Sequence, residues 1–184
     1  MKQMCRREKK WIKIIACIMI SILMVQLSNV QKVYAVTQSE FDAKLSQLQS
    51  QYPNYSVWNG QFDNGTQCFG FAHMMGYNVF GTMPSTWQRS YDIYSVKPGD
   101  LIQYGNTSGQ GHTVFVTAVS GNTITFVDCN GNGNYSGSTK VRRNGVLWGN
   151  TIQKGARIWG KYSFSYLLVS NGIQSYDTCS TSYA

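Results

Sequence analysis

The sequence contains little cysteine and histidine, with five cysteines and two histidines in 184 residues. It has no CxxC pair and no cluster of histidines, so the ligand spacing of a structural zinc site is absent. Five cysteines are also too few for a small disulfide-stabilised scaffold. There are no internal repeats, which excludes a repeat architecture. We therefore expect a domain held by its own core, with neither a metal nor a cofactor.

Charge is also scarce once the N-terminal segment is considered separately. Residues 1–35 hold seven of the 16 Lys and Arg residues and one of the eight Asp and Glu residues. The remaining 149 residues therefore carry a net charge of +2, out of +8 for the whole chain. No stripe of Lys and Arg remains to neutralise phosphates, which excludes a nucleic-acid partner.

The N-terminal segment has the pattern of a secretory signal. A basic start is followed by the apolar stretch 14–25 and by the small-residue pattern Val33-x-Ala35. The stretch is shorter than the roughly 20 residues of a spanning helix, so an uncleaved anchor is the alternative. We predict that residues 1–35 are a signal peptide, leaving 36–184 as one secreted domain without a membrane anchor.

Residue periodicity predicts helices followed by strands. Thr37-Gln38-Ser39-Glu40 forms a capping box before a helix that Pro53 ends, and a second helix is predicted at about 68–80, with Gly81 as its stop. After Gly81 the period changes to two, which is typical of strands. We predict an α+β fold with N-terminal helices packed on an antiparallel sheet, and a tail over 171–184 that is frayed. The predicted strands lie near 100–104, 112–119, 123–130 and 158–169, with a weaker one at 146–148.

Four residues form a candidate catalytic set. Cys68 starts the second predicted helix, His112 heads a strand, and Asp128 and Asn130 close the next strand. A thiol nucleophile needs a base and a group that orients the base. A three-residue loop at 120–122 would place Asn130 opposite His112 and Asp128 on the diagonal. A two-residue loop would put His112 and Asp128 on opposite faces of the sheet.

The surroundings of the thiol indicate how it would be activated. Exposed N–H groups at a helix start lower the pKa of a thiol and can hold an oxyanion. Gln67 is either an additional oxyanion donor or an ordinary exposed glutamine. His73 is assigned to the surface or to packing, which leaves His112 as the base. Cysteines 129 and 179 also belong to the mature chain, and a disulfide between them is open.

At this point the chain resembles the CHAP family, the cysteine, histidine-dependent amidohydrolase/peptidase domains of cell-wall hydrolases. The resemblance implies a papain-like α+β fold and cleavage of amide bonds in peptidoglycan. It implies Cys68 as nucleophile, His112 as base, Asp128 as orienting acid and Asn130 as a fourth polar partner. Asp128 stands where glutamate is more usual in the family. The matching segments are GTQC at 65–68, VKPGDLI at 96–102, GHTV at 111–114 and GNTITFVDCN at 121–130.

The resulting prediction is a secreted, cell-wall-located, cysteine-dependent peptidoglycan amidase or endopeptidase, monomeric and without a cofactor. Some relatives bind calcium just before the nucleophile. In this chain the segment just before Cys68 contains one carboxylate, Asp63. One alternative is a non-catalytic wall- or glycan-binding protein, because Trp87 and other tryptophans are candidates to contact a sugar substrate. The other alternative is a secreted cysteine protease that acts on protein.

Overall fold

The structure is a computed structural model that describes residues 35–131 and 145–174. Residues 1–34 of the predicted signal peptide, Cys179 and the tail from residue 175 lie outside the described residues. The helices are α1 (Gln38–Gln51) and α2 (Gln67–Phe80). The strands are β1 (Val36–Thr37), β2 (Gln61–Phe62), β3 (Gly65–Thr66), β4 (Gln88–Ser90), β5 (Leu101–Gly105), β6 (Gly111–Ser120), β7 (Thr123–Cys129), β8 (Val146–Gln153), β9 (Ser163–Val169) and β10 (Ile173–Gln174).

Both predicted helices are present with the predicted ends. The Thr37 hydroxyl accepts a hydrogen bond from the Glu40 backbone N–H, and the Glu40 carboxylate accepts one from the Thr37 N–H, so the capping box is confirmed. α2 ends at Gly81, whose φ of 71° is the left-handed conformation that a glycine cap supplies. Gly76 packs against Pro84 and Trp87, where a Cβ would lie 2.9 Å from each side chain. This close approach explains a glycine inside the helix.

The main sheet has six strands in the order β4-β9-β5-β6-β7-β8. Strands β5 to β8 pair in the order in which they follow one another in the chain, and β9 returns to pair with β5 on its other side. The predicted strand at 158–169 is shorter, since a bridge from Ile158 to Tyr162 closes a turn before β9 starts. The short edge strand β4 was not predicted. All pairings within this sheet are antiparallel.

The β6–β7 hairpin differs from the predicted loop but reaches part of the predicted register. Ser120 pairs with Thr123, so the connection has two residues and the three-residue prediction is wrong. A bulge at Thr117 then shifts the ladder by one residue, so that Val116 pairs with Phe126 as predicted. The bulge reverses the effect of the shorter loop, because one extra residue turns the later side chains to the other face.

Hydrophobic side chains cover both faces of the sheet. The helices bury Phe71, Met75 and Val79 against one face, together with Phe115 and Val127 of the strands. Residues of the connecting segments cover the opposite face, where the strand residues Val114, Val116 and Phe126 lie. Two helices packed on an antiparallel sheet confirm the predicted α+β class. This arrangement brings the first turn of α2 close to the start of β6.

The segment before Cys68 contains a short hairpin that the sequence patterns did not predict. β2 and β3 form a tight hairpin, in which Gln61 pairs with Thr66 and Phe62 pairs with Gly65. The two turn residues, Asp63 and Asn64, both have positive φ angles of 52° and 61°, as a two-residue type I′ turn requires. β3 leads directly into α2, so the hairpin determines how the chain enters the helix.

A buried carboxylate, that of Asp100, lies directly before the first residue of β5. Asp100 accepts hydrogen bonds from the backbone N–H groups of Lys97 and Ser170 and from the Ser170 hydroxyl. Burial raises the pKa of this carboxyl group, and the hydrogen bonds offset only part of the effect. The aspartate of the predicted Lys-Pro-Gly-Asp motif therefore connects the turn before β5 to the end of β9. These contacts are structural. His112 pairs with Tyr104, near the other end of β5.

Candidate active site

Cys68 is the second residue of α2 and is half-buried. The preceding residue, Gln67, has a φ of 53°, which turns the chain sharply from β3 into the helix. The Cys68 sulfur accepts hydrogen bonds from the backbone N–H groups of Phe69 and Thr113. Gly70 packs directly on the carbonyl of Gly65, where a Cβ would collide. The nucleophile therefore stands on a tight strand-to-helix turn that only a glycine at position 70 accommodates.

His112 lies between the thiol and a carboxylate. Its Nε2 is 2.9 Å from the Asp128 carboxylate, and the ring also hydrogen-bonds the Cys68 thiol. Because Nε2 is committed to Asp128, Nδ1 is the ring nitrogen left for the thiol. His112 and Asp128 are 2% and 1% exposed, so this ion pair is shielded from water. The predicted Cys68–His112–Asp128 set is brought together by the fold.

The electrostatic environment favours a thiolate–imidazolium pair. Burial opposes ionisation of Cys68, but the hydrogen bond and charge of His112 and the two backbone donors outweigh it, so the pKa of Cys68 is lowered. Burial also opposes protonation of His112, but its hydrogen bonds to Asp128 and Cys68 raise the pKa of the imidazole above the ordinary value. The two shifts have opposite signs, which is the requirement for a thiol activated by a neighbouring base.

Asn130 has a different contact from the one predicted on the register argument. Its side-chain amide donates to the Gln67 side-chain oxygen at 2.7 Å, while Asp128 contacts His112. Asn130 and Gln67 both have positive φ angles, 60° and 53°. This hydrogen bond connects the end of β7 to the residue before the nucleophile. The structure thus brings Gln67 into the site, next to Cys68 in sequence and bound to Asn130.

These observations agree with the comparison against protein families. Residues 57–130 match the CHAP domain family. The resemblance predicted from the sequence is confirmed, and Cys68, His112, Asp128 and Asn130 all lie within the matched segment. No curated protein matches the chain.

Two solved structures are similar to this chain at low sequence identity. The crystal structure of Ly7917 shares 18% identity with a TM-score of 0.44, and covers 69% of this chain and 61% of its own. The crystal structure of the wild-type endolysin LysIME-EF1 shares 19% identity with a TM-score of 0.41, and covers 70% of this chain and 63% of its own. The chain therefore spans about three fifths of the length of these two proteins.

Two contacts of the site come from residues outside the CHAP segment, and sequence reasoning missed both roles. Asn150 of β8 donates its side-chain amide to the second Asp128 oxygen at 2.9 Å. The ring of Trp159 lies 4.1 Å from the His112 ring, at a turn residue with a φ of 50°. Trp159 is one of the tryptophans for which the sequence leaves open either a sugar contact or a place in the core. Neither residue belongs to a sequence motif. Asn150 reaches Asp128 from the neighbouring strand, and Trp159 reaches His112 from a turn.

Trp87 lies away from the catalytic residues. It is buried against the C-terminal half of α2, at Gly76 and Phe80, and its indole N–H donates to the Thr82 hydroxyl at 2.9 Å. Cys68 is at the opposite end of the same helix. The predicted substrate contact of Trp87 is therefore corrected to a core position, because its large apolar ring fills the space beside Gly76.

His73 is buried in the CHAP segment and contacts the turn before the nucleophile. Its Nδ1 lies 2.6 Å from the Asp63 carboxylate, which also accepts hydrogen bonds from the Ser85 N–H and hydroxyl. Asp63 is thus occupied by donors of the protein. Within residues 35–131 and 145–174, no group of three His, Cys, Asp or Glu side chains is placed to hold a metal ion. These residues do not fit a calcium site before the nucleophile.

None of the helices within the described ranges combines the length and the apolar character needed to cross a membrane.

The lowered pKa of Cys68 predicts that this thiol reacts at a lower pH than an ordinary cysteine. The alkylation rate of Cys68 by iodoacetamide should fall only when the pH drops below this lowered pKa, because the thiolate is the reacting form. Cys129, whose pKa burial raises to about 12, should stay unlabelled under the same conditions. Mass spectrometry of the labelled peptides over a pH series measures both rates.

The control for this prediction is His112→Ala, which removes the largest stabilising partner of the thiolate. Its Cys68 profile should move to higher pH. A wild-type profile centred at the ordinary thiol pKa of about 8.5 would contradict the proposed ion pair.

Proposed function

We propose that the chain is a secreted, cysteine-dependent hydrolase that cleaves amide bonds in bacterial peptidoglycan. The observation that carries this proposal is the contact series from Cys68 to His112 to Asp128 within a segment that matches the CHAP domain family. The opposite pKa shifts of the thiol and the imidazole support a nucleophilic mechanism. The similarity of the solved endolysin structure supports only the choice of the first substrate to test.

In the proposed mechanism, the Cys68 thiolate attacks the carbonyl carbon of the amide and a C–S bond forms. The tetrahedral intermediate collapses as the C–N bond breaks, and His112 gives its proton to the leaving amine. Water then attacks the thioester carbon while His112 takes a proton from it, and the C–S bond breaks as the new carboxyl group leaves, which restores the thiolate–imidazolium pair. Asp128 holds the imidazole in orientation and stabilises its charged form throughout.

We assign the developing oxyanion to donors at the start of α2. The first backbone N–H groups of a helix have no partners within the helix, and the positive end of its dipole favours negative charge. The Gln67 side chain is a further candidate donor. Its oxygen accepts the Asn130 amide, which directs the Gln67 amide nitrogen away from Asn130. In this proposal Asn130 acts through Gln67, as a positioning residue.

The test is digestion of purified peptidoglycan by residues 36–184. We expect new amino groups without new reducing sugar ends, because an amide hydrolase breaks no glycosidic bond. Mass spectrometry of the fragments distinguishes an amidase, which separates the stem peptide from the sugar, from an endopeptidase, which cuts within peptides. Casein should be resistant, and casein cleavage without peptidoglycan cleavage would favour the protease alternative.

The glycan-binding alternative loses part of its basis, since Trp58 and Trp87 are buried in the core. A pull-down with insoluble peptidoglycan tests this alternative directly. Binding by wild type without any release of fragments, and with Cys68 alkylation only at the pH of an ordinary thiol, would favour a non-catalytic protein.

Secretion is a separate part of the proposal and has its own test. Expression of the full chain should release a product whose N-terminus is Val36, because cleavage is proposed after Ala35. Mass spectrometry of the culture supernatant identifies this terminus. A product that keeps residues 1–35 and stays with the membrane fraction would refute cleavage and support the anchor alternative.

A further inference from the structure

A second polar cluster consists of Asp63, His73 and Ser85 and takes no part in the mechanism described above. Asp63, at the turn of the β2–β3 hairpin, receives three hydrogen bonds, from His73 Nδ1 at 2.6 Å, Ser85 Oγ at 2.8 Å and Ser85 N at 3.0 Å. The three residues come from the hairpin, α2 and the 3₁₀ turn at Pro84–Thr86. One carboxylate therefore connects three separate segments of the chain.

The cluster contacts or adjoins the residues that precede and follow Cys68 in the sequence. β3 enters α2 only four residues after Asp63, and the Phe69 ring stacks on His73 with centroids 3.9 Å apart. The Phe69 backbone N–H donates to the Cys68 sulfur. Gly65 of the hairpin also packs against the Phe69 ring. A shift of Asp63 or His73 would therefore move the residues that immediately precede and follow the thiol.

The chemistry of His73 argues against a role in packing alone. Its side chain is 1% exposed, and its Nε2 has no hydrogen-bond partner in the described part of the chain. A buried polar group without a partner is unfavourable, so an apolar residue would fill this helix face at lower cost. The hydrogen bond of Nδ1 to Asp63 is the feature that an apolar residue would not supply.

The protonation states suit a fixed hydrogen bond. Burial lowers the pKa of His73, and Asp63 only partly opposes this, so the ring is neutral in neutral solution. Burial opposes ionisation of Asp63, but its bonds to His73 and Ser85 outweigh it and lower the pKa of the carboxyl. An ionised Asp63 only accepts hydrogen bonds, so the single proton of a neutral His73 must lie on Nδ1.

We propose that Asp63, His73 and Ser85 form a clamp that positions Cys68 by holding the β2–β3 hairpin against the first turns of α2. The inference rests on the proposed function, because it takes Cys68 as the nucleophile. The three are positioning residues, since they act on Cys68 through the backbone of Gly65 and Phe69.

Cys68 alkylation is the primary test, because it requires no substrate. The substitution D63N replaces one carboxylate oxygen by an NH2 group and removes the charge, so the side chain loses one of the two oxygens that accept the hydrogen bonds of His73 and Ser85. We expect the alkylation rate of D63N in neutral solution to fall by about tenfold or more, since small displacements of a reacting group have effects of this size. Peptidoglycan turnover should show a lower kcat with little change in KM. Addition of EDTA should leave the wild-type rate unchanged.

The chain supplies a matched control at Asp100, which also accepts the N–H and hydroxyl of one serine, Ser170, and a third hydrogen bond from the Lys97 N–H. D100N should lower thermal stability as D63N does, but the alkylation rate of its folded form should equal that of wild type. S85A and S170A form a second matched pair, each losing one hydroxyl bond to a carboxylate. S85A should slow alkylation and S170A should not.

Conservative replacement of His73 separates the hydrogen bond from packing. H73N keeps an N–H donor near the position of Nδ1 and should retain most of the reactivity, whereas H73L should behave like D63N. Equal alkylation rates in folded wild type, D63N and H73L would overturn the clamp, even if all three digest peptidoglycan. Conversely, a slowed D63N in a protein that digests no peptidoglycan would support the clamp and refute only the proposed substrate.

Discussion

Replacement of Cys68 by alanine should abolish peptidoglycan hydrolysis and leave a folded protein. Loss of a catalytic nucleophile typically costs about 10⁴-fold to 10⁶-fold in kcat, because the covalent route is removed. Cys68 is half-buried and its sulfur contacts His112 and two backbone N–H groups, so the smaller side chain leaves the core intact. Release of amino groups from peptidoglycan measures activity, and circular dichroism measures folding.

The matched control is Cys129→Ala, which removes a thiol from the neighbouring strand end. Cys129 is fully buried against the helix-facing core, and burial raises its pKa to about 12, so it is not ionised in neutral solution. We expect a loss of stability of about 1 to 2 kcal/mol from the lost volume, with activity retained. A folded Cys129→Ala protein as inactive as Cys68→Ala would show that the nucleophile is misassigned.

Replacement of Asp128 by alanine should reduce kcat much more than replacement of Asn130. Asp128 contacts His112 directly at 2.9 Å and stabilises the imidazolium, whereas Asn130 contacts Gln67. We expect a loss of about 10² to 10³-fold for Asp128→Ala, below the roughly 10⁴-fold seen for a serine triad, because the Cys68 thiol is partly ionised without the acid. Kinetics of both variants on the same peptidoglycan preparation measure the difference.

Two further variants identify which property of Asp128 matters. Asp128→Asn keeps the size of the side chain but removes the charge, so its activity measures the electrostatic part of the effect. Asn150→Ala removes the donor to the other Asp128 oxygen and should reduce activity by less than Asp128→Ala. If Asp128→Ala retained at least half of wild-type activity while Asn130→Ala were inactive, Asn130 would be the residue that orients His112.

Local sequence patterns were sufficient for the parts of the site that depend on a single element. The capping box at Thr37, the stop at Gly81 and the position of Cys68 at a helix start are properties of a few adjacent residues. Periodicity also predicted a strand at 112–119, and β6 spans Gly111–Ser120. These features could be predicted because caps and alternation are determined within one helix or one strand.

The pairing of β6 with β7 shows where local reasoning fails. A two-residue turn at Gly121 and Asn122 would by itself have separated His112 from Asp128, and the bulge at Thr117 prevents this. No residue near Thr117 signals a bulge in the sequence. Its position depends on how Val116 and Phe126 pack into the same core, which is a property of the assembled sheet.

The sequence by itself therefore determined the types of chemical group: a thiol at a helix start, one available base, and a carboxylate and an amide at a strand end. The tertiary structure decided which of these groups touch, so that Asp128 holds His112, Asn130 holds Gln67, and His73 pairs with Asp63. The physical reason is distance along the chain. Hydrogen bonds between residues 10 to 63 positions apart depend on tertiary packing, which local propensity does not encode.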